Sequence, residues 1–238
     1  MNIMDDLIIY RRVINYLKDF ITQDRLLRIN EVLEFRTNHL TIVLEDLHKV
    51  YNANAVLRSC DGFGIQDVHI IENRNEFDSA ESVSIGAHNW LSLYRYNDKS
   101  KNIDTCFDHL RSKGYQIIAT TPHERGFKIS ELDVTQKTAL VFGGELEGVS
   151  NEVIKKADKF VTIPMFGFSE SFNISVSAAI CMYEITKKIR SRNFNWTLSN
   201  SFKTLLRYQW IKKTIKAGDQ LEAKFLEKNK LKLSGNLN

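Results

Sequence analysis

The chain has 238 residues, enough for one domain with an appendage, and its 43% hydrophobic and 26% charged content is that of a globular rather than a disordered protein. Two prolines and 11 glycines exclude collagen-like and proline-rich classes, and no apolar run approaches the ~20 residues of a membrane span. The net charge of +4 hides an asymmetry: residues 187–232 carry 13 Lys/Arg against Asp219, Glu222 and Glu227, a local +10 that leaves about −6 on the preceding 186 residues.

In chain order, residues 4–20 and 22–36 read as amphipathic helices, with Leu7, Ile8, Val13, Ile14 and Leu17 at helical spacing in the first, and Leu26, Ile29, Val32 and Leu33 in the second. LTIVLED (40–46) is an apolar run ending in acids, the pattern of a strand buried in a parallel sheet. A helix is expected over 52–61, strands over 68–71 and 91–96, and a helix over 101–113 that stops at Gly114. Strands follow at 115–120, 138–143 and 160–165, with a short helix at 151–157 before the last. A long helix over 174–192 and a mostly helical tail over 199–228 complete the chain. Strand–helix alternation with continuous apolar strands predicts an α/β fold, a mostly parallel sheet with helices on both faces.

Ligands of open parallel sheets bind beyond the carboxyl ends of the strands. Three such ends are unusual here: Thr120-Thr121-Pro122, Gly143-Gly144-Glu145-Leu146-Glu147-Gly148, and Pro164 through Asn173. Glycines there let a backbone approach a ligand closely. The motifs that mark other chemistries are missing. No GxGxxG opens a helix after a strand, and there is no GxxxxGK[ST], GxSxG or HExxH. Cys60, Cys106 and Cys181 lie far apart and the six histidines show no ligand spacing, so no disulfide framework and no metal site is expected. The start, MNIMDDLIIY, has acids where a signal peptide has basic residues, which points to the cytoplasm.

Three blocks, in this order, resemble the motifs of the SPOUT-class (TrmH-type) RNA 2′-O-ribose methyltransferases: Asn52 through Arg58 to Gly64, Phe142 through Glu145 to Ser150, and Ile163-Pro164-Met165 through Ser171-Phe172-Asn173 to Ala179. The match spans about residues 22–190. The resemblance implies a C-terminal trefoil knot, S-adenosyl-L-methionine as cofactor, a homodimer, and tRNA as substrate, most closely a D-loop guanosine. Ribosomal RNA is the alternative substrate, and a non-catalytic RNA-binding paralogue is the alternative outside catalysis. It assigns catalytic roles to Arg58, Asn52, Glu145, Ser171 and Asn173. Arg58 would orient the substrate or act on its proton, Glu145 would fix the guanidinium, and Asn52 would cap the helix carrying Arg58 or bond to Arg58 or the substrate. Thr120, Thr121, Gly143, Gly144, Ile163, Met165 and Phe172 would hold the cofactor; Phe172 stands where the family has a smaller aliphatic residue.

The same resemblance divides the chain into an N-terminal helical extension (1–38), a methyltransferase domain (39–192) and a basic helical extension (193–238). Arg25, Arg28 and Arg36 are expected on one helical face, contacting tRNA phosphates. The basic tail is expected to bind RNA, so that deletion from about Ser199 onward leaves a folded, cofactor-binding protein with much weaker tRNA binding. The alternative is that Trp196, Phe202, Leu205, Leu206, Tyr208, Trp210 and Phe225 pack on the body or on a partner subunit, so that deletion destabilises the fold or the dimer.

Overall fold

The structure, a computed structural model, describes residues 3–77, 86–98, 100–122, 126–144 and 147–234. The helices are α1 (Ile3–Leu17), α2 (Gln23–Glu34), α3 (Val50–Phe63), α4 (Asn102–Ser112), α5 (Asn151–Lys156), α6 (Ile174–Ser191), α7 (Asn200–Thr214) and α8 (Gly218–Lys228). The strands are β1 (Leu40–Glu45), β2 (Asp67–Ile71), β3 (Ser92–Tyr96), β4 (Gln116–Thr120), β5 (Phe127–Lys128), β6 (Thr138–Phe142) and β7 (Lys159–Thr162). The chain divides into two compact units, residues 37–196 and a second built from both ends, 1–36 with 197–238.

In the first unit the strands form one parallel sheet in the order β3-β2-β1-β6-β4-β7-β5. Alternation along each central strand feeds two cores, as the period of two requires. Ile42, Leu44, Ile118 and Leu140 point to the side of α3 and α6, where they meet Val56, Leu57, Cys60, Met182 and Ile185. Val43, Ile117, Ala139 and Val141 point to the other side, against Ile103, Cys106, Phe107 and Leu110 of α4 and Val153 of α5. Helices therefore cover both faces, as the continuous apolar strands predict. The stripe Ile174, Ala178, Met182, Ile185 and Ile189 on α6 is wholly buried and belongs to the first core. Gly64 ends α3 in the left-handed region (φ 75°), where a Cβ would be strained, and returns the chain to β2.

The second unit is a helical assembly. Tyr10 of α1 stacks on Tyr208 of α7 with ring centroids 4.6 Å apart, and Tyr16 of α1 stacks on Phe225 of α8 at 4.8 Å. Leu206, Tyr208, Trp210 and Ile211 are buried. Several tail cations have partners inside this unit. Lys203 Nζ reaches Glu34 at 2.5 Å, Arg207 Nε donates to Asn30 at 2.7 Å, and Lys212 Nζ reaches Glu222 at 2.9 Å. Tyr208 also donates its hydroxyl proton to Glu222.

This packing reverses the expectation for tail deletion. Without residues 199–238, α1 and α2 lose the apolar surfaces they cover. The truncated chain is expected to lose protection of residues 1–36 against protease and to show less helix by circular dichroism than removal of the tail residues alone accounts for. A truncation whose N-terminal helices stay protected would return the tail to a purely RNA-binding role.

Arg36 needs a second correction. Phe35 is the C-cap of α2, so Arg36 lies beyond the helix and shares no helical face with Arg25 and Arg28. Its side chain is only 1% exposed, with the guanidinium 5.2 Å from the Trp210 ring centroid. A buried cation over an indole is a packing element and does not present its charge to a phosphate. Arg25 and Arg28 stay exposed on α2, where Arg28 pairs with Glu31 at 2.6 Å.

Candidate active site

The carboxyl ends of β4, β6 and β7 surround a cavity of about 550 Å³, within the range of small-molecule sites. All seven residues expected to hold a cofactor line it: Thr120, Thr121, Gly143, Gly144, Ile163, Met165 and Phe172. Phe142, Ile154, Val161 and Ile174 supply further apolar wall that sequence patterning did not single out, because as strand and helix residues they read as core. Thr120 Oγ1 donates to the Val141 carbonyl at 2.9 Å, which ties the β4 end to β6. Burial pushes the Cys181 thiol up to about 12, so at neutral pH this cavity residue is a protonated apolar wall and not a nucleophile.

The loop after β6 is tight. Gly148 N–H donates to the Gly144 carbonyl at 2.9 Å, and a Cβ on Gly143 would lie 2.0 Å from the Gly148 oxygen. Glycine at 143 is therefore a requirement of close backbone approach. Glu145 lies outside the described residues. Glu147 is exposed on the rim and pairs with Arg74 at 2.7 Å.

The loop after β7 ends in a helix cap. Asn173 Oδ1 accepts from the Ser175 N–H at 2.9 Å and from Ser175 Oγ at 2.6 Å, fixing the first turn of α6. Asn173 Nδ2 donates to Asn52 Oδ1 at 3.3 Å, so the first and third motif blocks meet although 121 residues separate them. Ser171 and Asn173 line the cavity. Asn52 is not the cap of α3. That helix begins two residues earlier with Lys49 as N-cap, which leaves the Asn52 side chain for the contact with Asn173. Arg58 stands exposed on α3 and is not part of the cavity lining. Among the described residues no three His, Cys, Asp or Glu side chains cluster as metal ligands, and no helix is long and apolar enough to cross a membrane.

Glu45, at the carboxyl end of β1, is the polar group that sequence reasoning missed. Its carboxylate is 2% exposed and accepts from the Ser150 N–H at 2.8 Å. Burial raises its pKa, opposed by the two Ser150 donors.

Residues 39–183 match the SpoU rRNA Methylase family. A tRNA (guanosine(18)-2′-O)-methyltransferase of Borreliella burgdorferi is 38% identical over 213 residues, which cover 90% of this chain and 95% of that one. Its namesake from Thermus thermophilus is 35% identical over 167 residues, 70% of this chain and 84% of the relative. Among solved structures, the A. aeolicus TrmH/SpoU tRNA modifying enzyme aligns with a TM-score of 0.71 at 27% identity, over 81% of this chain and 98% of its own. The sheet with its three carboxyl-end loops and the ordered motif blocks agree with these likenesses, and the chain belongs to the SpoU methylase family.

Proposed function

We propose that the protein is an S-adenosylmethionine-dependent tRNA methyltransferase that modifies the ribose 2′-hydroxyl of guanosine 18, the activity named for the Borreliella and Thermus relatives. The observation that carries this reading is convergence: loops from three strands, distant in sequence, close on one cavity that has all seven expected cofactor residues in its wall. Its size and its mixture of glycine backbone and apolar side chains suit an adenosine with an amino-acid arm. Thr120, Ile163, Met165 and Phe172 would flank the adenosine, and the Gly143–Gly144 backbone would admit close approach. The bound cofactor supplies a methyl group on a sulfonium, a leaving group already activated.

What remains for the protein is to place the ribose oxygen in line and to manage its proton. Arg58 takes the central role. A guanidinium stays protonated under ordinary conditions, so Arg58 orients the ribose and stabilises the alkoxide developing on its oxygen. Glu145 fixes the guanidinium fork. Asn173 and Ser171, at the mouth of α6, contact the ribose, and Asn52 holds Asn173 in place. Arg25 and Arg28 engage tRNA phosphates from the terminal helical unit.

We further propose the trefoil knot, a cytoplasmic setting, and a homodimer. Exposed Val176 and Tyr183 lie seven residues apart on one face of α6, and the exposed Phe166 and Phe168 precede that helix; a second copy would cover apolar surface of this kind. Incorporation of tritiated methyl from S-adenosylmethionine into tRNA and rRNA, followed by nucleoside mapping, tests the activity. The expected product is 2′-O-methylguanosine at position 18 of tRNA. Labelling of rRNA alone would replace the substrate, and labelling of neither would leave an RNA-binding protein.

A further inference from the structure

The described residues of the motif-two loop, Gly143, Gly144, Glu147, Gly148 and Val149, form one wall of the cavity. A loop of this kind holds its shape only if both feet are fixed. The first foot leaves β6 at Phe142, which is paired in the ladder with Leu44 of β1. The second foot is Ser150, the N-cap of α5, whose Oγ accepts from the Val153 N–H at 3.2 Å. No strand pairing reaches that far. The adjacent residue of β1 reaches it instead, through the Glu45 carboxylate on the Ser150 N–H at 2.8 Å. Consecutive residues of one central strand thus hold the two feet, one by the backbone ladder and one by a side chain.

Among the described residues the loop's ion pair joins Glu147 to Arg74, with side chains 74% and 68% exposed, and exposed pairs contribute little. A charge-assisted bond at a 2% exposed carboxylate is the stronger constraint. A carboxylate is also costly to bury, and among the described residues Glu45 Oε1 has no hydrogen-bond partner. An acid retained at such a position has a task that a leucine could not perform.

We propose that Glu45 is a positioning residue for the cofactor, acting through Ser150 to hold the motif-two loop as a wall of the S-adenosylmethionine site. The proposal rests on the reading of the cavity as that site. Glu45 does not line the cavity, so its effect is transmitted entirely through the loop.

The test uses the full chain, thermal melts for folding, calorimetric titration with S-adenosylmethionine, and steady-state kinetics. Glu45→Ala is expected to stay folded and to bind S-adenosylmethionine about tenfold or more weakly. Its KM for the cofactor should rise by the same factor, while kcat at saturating cofactor falls by less than about threefold, a split that general destabilisation does not produce. Glu45→Gln keeps a carbonyl for the Ser150 N–H and should bind within about threefold of the parent. Full affinity in a folded Glu45→Ala, or equal loss in the Gln variant, overturns the proposal.

Should the alanine variant fail to fold, Ser150→Pro decides. Ser150 has φ −64°, already suited to proline, so the change removes the N–H donor without demanding a new backbone angle. Ser150→Ala, which loses the hydroxyl's contacts with Val153 and Glu45 but keeps the N–H, is its baseline. Ser150→Pro should reproduce the loss of affinity beyond that baseline, and equal affinities in the two variants overturn the proposal. Gly144→Trp separates the underlying reading. Gly144 lines the cavity, and its Cβ would meet nothing closer than 3.6 Å, so the indole has room to enter. Unchanged cofactor affinity there refutes the cavity as the site. Lost affinity there with full affinity in Glu45→Ala refutes Glu45 alone.

Discussion

Replacing Arg58 by alanine is expected to lower kcat for methyl transfer by about 10²–10³-fold while S-adenosylmethionine binding changes by less than about threefold. The separation follows from geometry. The cavity is built from the ends of β4, β6 and β7, whereas Arg58 stands exposed on α3, outside the lining. Removing it takes no atom from the cavity wall. The core face of α3 is carried by Ala53, Val56, Leu57 and Cys60, which the substitution leaves in place, so the thermal melt should hold within a degree or two. The loss falls on the step in which charge develops on the ribose oxygen, and a group acting only there lowers kcat and kcat/KM together. Lysine at the same position keeps the charge but loses the planar fork, so Arg58→Lys is expected to recover only part of the rate. Single-turnover methylation with calorimetry on the same preparations checks both halves. A folded Arg58→Ala that no longer binds cofactor, or one that turns over near the parent rate, removes Arg58 from the mechanism.

Much of this arrangement could be read from the chain, for a definite reason. Strands buried on both faces announce themselves as apolar runs, and β1, β4 and β6 are such runs. Helices that bury one stripe do so at a visible period, and α6 shows it from Ile174 to Ile189. The three loops were legible because glycine permits close backbone approach and because they sit where a parallel sheet binds its ligands, while the seven cofactor residues within them came from the family resemblance. What escaped has no local signature. β5 is two exposed residues, too short for any periodicity. The Glu45–Ser150 bond joins groups 105 residues apart, and nothing in LTIVLED distinguishes a terminal acid that is buried from one that is solvated. Arg36 resembles its neighbours Arg25 and Arg28 until the end of α2 and the position of Trp210 are known. Lys203, Arg207 and Lys212 add to a basic tail on paper, yet each has a partner in the fold. Counting charge along a chain gives its sign; the packing decides how much of it a polyanion meets.

Substituting Asp67 by asparagine is expected to stabilise the protein at neutral pH and to leave methyl transfer unchanged. Asp67 opens β2, the end of the strand opposite to the carboxyl-end loops, and is buried. Burial pushes its pKa up to about 6 from 3.8, against a hydrogen bond from Ser92 and the charges of Lys137 and Lys113, which pull it down. An acid whose folded pKa is raised binds its proton more tightly in the folded state. Its ionisation therefore costs no stability below about 4, costs progressively more as pH rises to about 6, and stays at full cost above that. Two pKa units correspond to about 3 kcal/mol, an upper bound that relaxation will reduce. Asparagine keeps a carbonyl for Ser92 and cannot ionise, so a gain of about 1–2 kcal/mol is expected at pH 7, or roughly 2–8 °C in Tm. The gain should vanish near pH 4. His69 on the same strand titrates with the opposite consequence: burial lowers its pKa to about 3 from 6.5, so acid destabilises the fold through it. That effect is common to parent and variant and cancels when their melts are subtracted at each pH. A difference that persists unchanged at pH 4, or a variant less stable at pH 7, would show that the Asp67 carboxylate is well accommodated and that its charge is not a cost the fold carries.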